Sequence, residues 1–182
     1  MVQVNGLTAA PATLDGTGDK VPVYDASAGV LTQVSVQQLT ARAYGDIKLV
    51  AATAAQALST SFAKLTVFDS STAAYGVTVA GDYDSLTVAQ AGVYEIHFNC
   101  NFSSDASKTI SIALSIGGTE DEDSQTVQVV TSGATNITSA AFSVLKSLSA
   151  SDVLTIEAKS HASTPTLTFN NIDLVIKKID EV

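Results

Sequence analysis

Beyond about residue 46 the apolar positions recur every second residue, and helical spacing is absent. The clearest stretch is Val93 to Phe102, where Tyr94, Ile96, Phe98, Cys100 and Phe102 alternate with Glu95, His97, Asn99 and Asn101. Successive side chains of a strand point to opposite faces, so this pattern predicts a strand with one core face and one wet or interfacial face. Thr109 to Ile116 repeats it, with Ile110, Ile112, Leu114 and Ile116 in the apolar phase, and Gly117-Gly118 then supplies a turn. Further strands are predicted at Ile47–Ala51, Ala63–Phe68, Ser85–Val88, Thr126–Val130, Ser139–Leu145, Val153–Ala158 and Leu167–Ile179. Many short strands with turn signals at roughly ten-residue intervals predict an all-β sandwich or jelly roll.

Residues 1–45 read differently. They hold two of the three prolines, Pro11 and Pro22, and the turn-rich run Asp15-Gly16-Thr17-Gly18-Asp19. Lys20 to Asp25 reads as an edge-type strand, because Pro22 has no N–H for a ladder. Val30 to Val34 returns as the second arm of a hairpin, and Ser35 with Gln38 has capping-box spacing for a short helix reaching Tyr44 and closed by Gly45. So small a segment buries too little surface to fold alone. It is expected to be an attachment segment, followed by a head domain over 46–182.

Composition supports burial without aromatics. Hydrophobic residues make up 46% of the 182 and charged ones 15%, enough for a core, but aromatics are 6% with no Trp. Small and β-branched side chains must therefore do most of the packing, and these suit pleated sheets. Nine basic against eighteen acidic residues give a net charge of -9, which argues against nucleic acid and anionic membrane as partners. The start lacks a basic region followed by an apolar run, and no apolar stretch approaches about 18 residues, so neither signal peptide nor membrane span is expected. Cys100 is the single cysteine, which excludes an internal disulfide and suits a reducing cytoplasm.

Two resemblances follow from particular residues. Ser85-Leu86-Thr87-Val88-Ala89-Gln90-Ala91-Gly92-Val93-Tyr94-Glu95-Ile96 resembles the strand, tight turn and strand of the C1q/TNF-like jelly-roll superfamily. The later order is similar too: Ile110 to Gly118, Ala140 to Leu148, then Ser149 to Ile156, then Asn171 to Ile179. One departure is Phe169-Asn170-Asn171, where the family has Phe-x-Gly. The front segment, Asp19-Lys20-Val21-Pro22-Val23-Tyr24-Asp25, then Gly29, then Val34-Ser35-Val36-Gln37-Gln38-Leu39, resembles the leader of phage tail-fibre, head-fibre and capsid-decoration proteins. Together they imply a virion-attachment segment ahead of an outward-facing trimeric head. Val21, Pro22, Val23, Tyr24, Leu31 and Val34 are the candidate attachment residues.

Candidate chemistry is sparse. With His97 and His161 alone available as imidazole bases and no Gly-x-Ser-x-Gly elbow, a Ser/His/Asp hydrolase has little to build on. His97 lies on the polar phase of its strand and His161 in the loop Ser160 to Pro165. Glu120-Asp121-Glu122-Asp123 concentrates carboxylates of the kind Ca²⁺ takes, but matches no EF-hand spacing and reads first as a solvated hairpin loop. Asp15 to Lys20 lacks the Gly-Lys-Ser/Thr ending of a phosphate loop. Cys100 falls in the apolar phase and reads as core. Phe62, Phe68, Tyr75 and Tyr83 stand outside the alternating strands; of these Phe68, Tyr75 and Tyr83 are the candidate trimer-interface residues, with core packing as the alternative.

The expectation is a non-enzymatic virion protein with no cofactor, a homotrimer attached to the major capsid or tail protein, assembled in the host cytoplasm. The alternative is a tail-fibre or receptor-binding module gripping a host-surface glycan or protein through loops such as 117–124 and 160–165.

Overall fold

Alternation builds the strands and decides which side of each becomes core. The computed structural model describes residues 20–25, 30–35 and 42–180, and the chain divides into two compact units, Met1–Ala41 and Arg42–Val182. In the first unit β1 (Lys20–Asp25) and β2 (Val30–Ser35) form an antiparallel hairpin, registered from Lys20 opposite Ser35 to Asp25 opposite Val30. The short helix expected after it falls on residues 36–41, which lie outside the described residues, and its far end is corrected: Tyr44 begins a strand. The reason is local. Gly45 is no helix stop but a close-packing site, where a Cβ would stand 3.0 Å from Val77 Cγ1.

The second unit opens with β3 (Tyr44–Lys48), β4 (Ala54–Ala57), β5 (Ala63–Lys64), β6 (Ala74–Tyr75), β7 (Val77–Val79) and β8 (Leu86–Val88). It continues with β9 (Gly92–Ser104), β10 (Lys108–Ile116), β11 (Thr119–Glu120), β12 (Thr126–Val130), β13 (Thr138–Leu148), β14 (Val153–Ser160) and β15 (Thr166–Asp180). These strands make two antiparallel sheets. One runs β11-β10-β14-β8-β7, with β12 also on β10 and β5 on β14; the other runs β13-β9-β15-β3-β6, with β4 on β15. Among the described residues the only helix is one 3-10 turn, Glu122–Ser124.

The sheets bury their facing sides against each other. Tyr94, Ile96, Phe98, Cys100 and Phe102 of β9, with Leu167, Phe169, Ile172, Leu174 and Ile176 of β15, form one core with Ile110, Ile112 and Leu114 of β10 and Leu154, Ile156 and Ala158 of β14. Each fully buried large apolar side chain contributes about 1.5–3 kcal/mol. Phe102 lies opposite Phe169 with ring centroids 5.6 Å apart, and Phe98 stacks on Phe142 at 5.0 Å. The buried Tyr94 hydroxyl donates to Gln90 O at 2.8 Å, so the one polar atom of that ring is satisfied.

Two sequence features acquire physical reasons. A Cβ at Gly92 would stand 2.6 Å from Asp180 O and collide with the Lys178 side chain, so the end of β15 leaves room for glycine alone. Asn170, in the Phe169-Asn170-Asn171 departure, falls where the β15–β9 register shifts, a bulge in the strand. The strand expected over Ala63–Phe68 is shorter than its apolar pattern suggests. Leu65 still donates to Ile156 O at 2.8 Å in one sheet, but Asp69 and Ser70 donate to Lys48 O in the other, so the segment crosses between sheets with Leu65, Val67 and Phe68 buried on the way.

Candidate functional site

The outer face of the six-stranded sheet is where exposed apolar surface and titratable groups coincide. Register aligns its side chains in rows across β13, β9, β15 and β3: Ala141–Asn99–Asp173–Lys48, then Ser143–His97–Val175–Asp46, then Leu145–Glu95–Lys177–Tyr44. At its β3–β15 end lies an open cleft of about 820 Å³ lined by Arg42, Tyr44, Asp46, Lys48, Asp173, Val175 and Ile179, among others. Tyr44 and Tyr75 stack across neighbouring strands at 6.3 Å and remain 43% and 46% exposed. Val175 and Ile179 are exposed as well.

Two carboxylates in this cleft have opposite fates. Asp46 accepts from Thr72 N and Ala73 N, both at 2.9 Å, and pairs with Lys48 Nζ at 3.4 Å. Burial pushes its carboxyl up, but these backbone donors, the Thr72 side chain and the Lys48 ammonium outweigh that and hold it below the ordinary range. Lys48 is further committed by a bond to the Thr72 hydroxyl. Asp173 has the reverse environment: Oδ1 is buried with no hydrogen-bond partner. Burial first, then the Asp46 charge, raises its carboxyl above the ordinary range, with Lys48 and Asn99 offsetting only part.

The opposite flank of the sandwich offers a second apolar surface. On the edge strand β12 of the seven-stranded sheet, Val127 and Val129 point outward, Val129 being 80% exposed, while Leu145 of β13 is exposed on the outer face of the six-stranded sheet, in the row that runs to Tyr44. The flank and the cleft lie at different edges of the protomer.

The three interface candidates are not brought together. Phe68 is 5% exposed and belongs to the protomer's own core, a correction that follows from the crossover path of its segment. Tyr75 stacks on Tyr44, which lines the cleft. Tyr83 is exposed in the β7–β8 turn on the other sheet, at φ 61°, with its N–H donating to Ala80 O. Phe62, half-buried, is covered by the Lys159 ammonium 4.4 Å above its ring. Of the attachment candidates, Val21 lies opposite Val34, Pro22 opposite Gln33, Val23 opposite Thr32 and Tyr24 opposite Leu31 in the β1–β2 ribbon.

The remaining chemistry resolves into structural contacts. His97 Nε2 lies 3.1 Å from Glu95 Oε1 on the exposed face. His161 Nε2 is 2.8 Å from Ser111 Oγ, which also accepts from Gln125 Nε2 at 3.3 Å. This pair escaped the sequence reading, because fifty residues separate its members. The available signal was Ser111 in the polar phase of β10, beside a β14 strand that runs on into His161. Ser111 is fully buried, so its hydroxyl is closed to a substrate, and the trio ties β10 to the segments that flank it. In the acidic hairpin Lys146 Nζ lies 2.6 Å from Asp121 Oδ1 and 2.8 Å from Asp123 Oδ2, so an ammonium stands where a cation was considered. Among the described residues no cluster of three or more His, Cys, Asp or Glu is placed to hold a metal, and no helix is long and apolar enough to cross a membrane. Cys100 is 1% exposed, and burial pushes its thiol up to about 12.

No family model and no curated protein matches the sequence. Solved structures do resemble the fold. The Eiger TNF structure from S. frugiperda superposes with a TM-score of 0.55 at 13% identity, covering 78% of this chain and 94% of that one. The globular domain of zebrafish complement 1qA superposes with a TM-score of 0.52 at 9% identity, covering 78% and 99%. The all-β unit of this chain is thus a jelly roll of the TNF and C1q type.

Proposed function

We propose that the chain is a non-enzymatic structural protein of a bacteriophage virion, a homotrimer whose jelly-roll head projects from the particle and whose leader attaches it to the major capsid or tail protein. The observation that carries the oligomer is exposed apolar side chains in two unlike settings, Val127 and Val129 on the β12 flank and Tyr44, Val175 and Ile179 at a cleft that is also lined by charged residues. Two unlike patches at different edges of one protomer suit a head-to-tail contact, which closes into a ring when the rotation permits. Three copies is what the jelly-roll resemblance implies. The setting rests on the leader pattern from Asp19 to Leu39, and its boundary moves forward to residue 41, because β3 belongs to the head. Assembly in the host cytoplasm is in keeping with a fold that uses no disulfide.

The test uses particles lacking this protein. Full-length chain is expected to bind them in multiples of three, and a chain starting at Arg42 to stay free while remaining folded. Binding by the truncated chain would move attachment to the head, and failure of the full chain to bind would remove the virion reading.

A further inference from the structure

Resting on the trimer reading above, we infer that Asp173 is a proton-operated latch of the subunit interface: protonated, it lets a neighbouring copy close over the cleft, and ionised, it opposes closure. The geometry carries this. Asp173 stands in the row Ala141–Asn99–Asp173–Lys48 and lines the cleft, with one carboxylate oxygen already dry and unbonded. A neighbour seated on Val175 and Tyr44 removes more of its water, and burying a carboxylate with one oxygen unbonded is costly, whereas a neutral carboxyl is far cheaper to bury and can donate.

The surrounding groups single out Asp173 as the one that must change. From β3, Asp46 is held ionised by Thr72, Ala73 and Lys48, and Lys48 is engaged by Asp46 and Thr72. From β9, the residue opposite is the neutral Asn99, with His97 and Glu95 paired to each other one and two rows away. From β15 itself, Lys177 is exposed two rows away, and Arg42 is exposed at the cleft margin ahead of β3. From the crossover, Asp69 is spent on Val50 N and Ala51 N at 2.7 and 2.9 Å. Two neighbouring carboxylates in such different environments divide into one permanent charge and one that titrates. The raised carboxyl of Asp173 agrees with that division.

Linkage sets the sign. Assembly that takes up protons strengthens as pH falls, and the slope of log association constant against pH equals the number taken up, at most about three per trimer. The experiment is sedimentation equilibrium of the full chain from about pH 4.5 to about pH 8, bracketing a raised carboxyl, on wild type, Asp173→Asn and His97→Gln. Wild type is expected to dissociate more readily as pH rises, His97→Gln to follow it, and Asp173→Asn to stay assembled with a flat profile. Calorimetric proton uptake on assembly of wild type, in two buffers of different ionisation enthalpy, gives a reading that no variant's folding affects. A flat wild-type profile with no proton uptake would overturn the latch while leaving the trimer standing. So would a slope that persists in Asp173→Asn or vanishes in His97→Gln. A monomer at every pH would remove both.

Discussion

Phe102 gives the most demanding test of the two-sheet core. Its ring is fully buried and lies opposite Phe169, a cross-strand neighbour that is equally buried, with centroids 5.6 Å apart. Phe102→Ala removes the ring and leaves a cavity between close-packed walls, which costs about 3–5 kcal/mol. Of this, about 0.5–1.5 kcal/mol belongs to the ring pair itself. A central value of about 4 kcal/mol lowers the melting temperature of a domain this size by about 12–16 °C. Phe102→Leu, which loses three carbon atoms, is expected to cost about 2 kcal/mol and provides a folded variant for a double-mutant cycle with Phe169→Leu. The assay is thermal and urea unfolding followed by circular dichroism at one protein concentration. A Phe102→Ala loss under about 1 kcal/mol, or additive Leu variants, would refute the packing of these strands, because contacting side chains in one core couple.

Other expectations follow from single contacts. Cys100 should resist thiol reagents under native conditions, with burial and a thiol pushed up to about 12 acting together, and react fully once denatured. Asp46→Ala should release the segment around Thr72 and Ala73 and cost about 2–3 kcal/mol, the worth of charge-assisted bonds at a partly wet site. Because the Asp46 carboxyl is held low, its stabilisation is present above about pH 4 and lost as pH falls through the folded value, so the acid limb of the wild-type profile should flatten in this variant. A chain beginning at Arg42 should keep a cooperative melt within a few degrees of full length, whereas one beginning at Lys48 loses the fully buried Ile47 and should be markedly less stable.

Legibility in the sequence followed how strictly a segment alternates. β9, β10 and β14 were predicted within one or two residues at each end, because both phases of each are unambiguous, and β12 was predicted in its bounds although its Val127 and Val129 face outward. Short strands such as β4 and β7 were not, since Ala54–Ala57 and Val77–Val79 owe their pairing to β15 and β8 rather than to their own pattern. Around Tyr44, a local cap-and-glycine signal competed with a ladder offered by β15 from the far end of the chain, and the long-range pairing won. The cleft was partly visible: Tyr75, which stacks on its lining residue Tyr44, was singled out, but Asp173 reads as an ordinary outward residue of its strand. Its significance comes from Asp46 and Lys48, more than a hundred residues away in sequence. Phe68, a candidate for the interface with core packing as the alternative, belongs to the core, because a segment crossing between sheets buries apolar residues without alternation.

The most direct test of the whole account is the mass of the full chain in solution, measured by sedimentation equilibrium at micromolar concentration and mildly acidic pH. A species of three times the 18.7 kDa chain mass is the expected result. A stable monomer of 18.7 kDa would contradict the account at its centre, because the cleft and the flank would then be surfaces exposed to water rather than the two halves of a subunit contact.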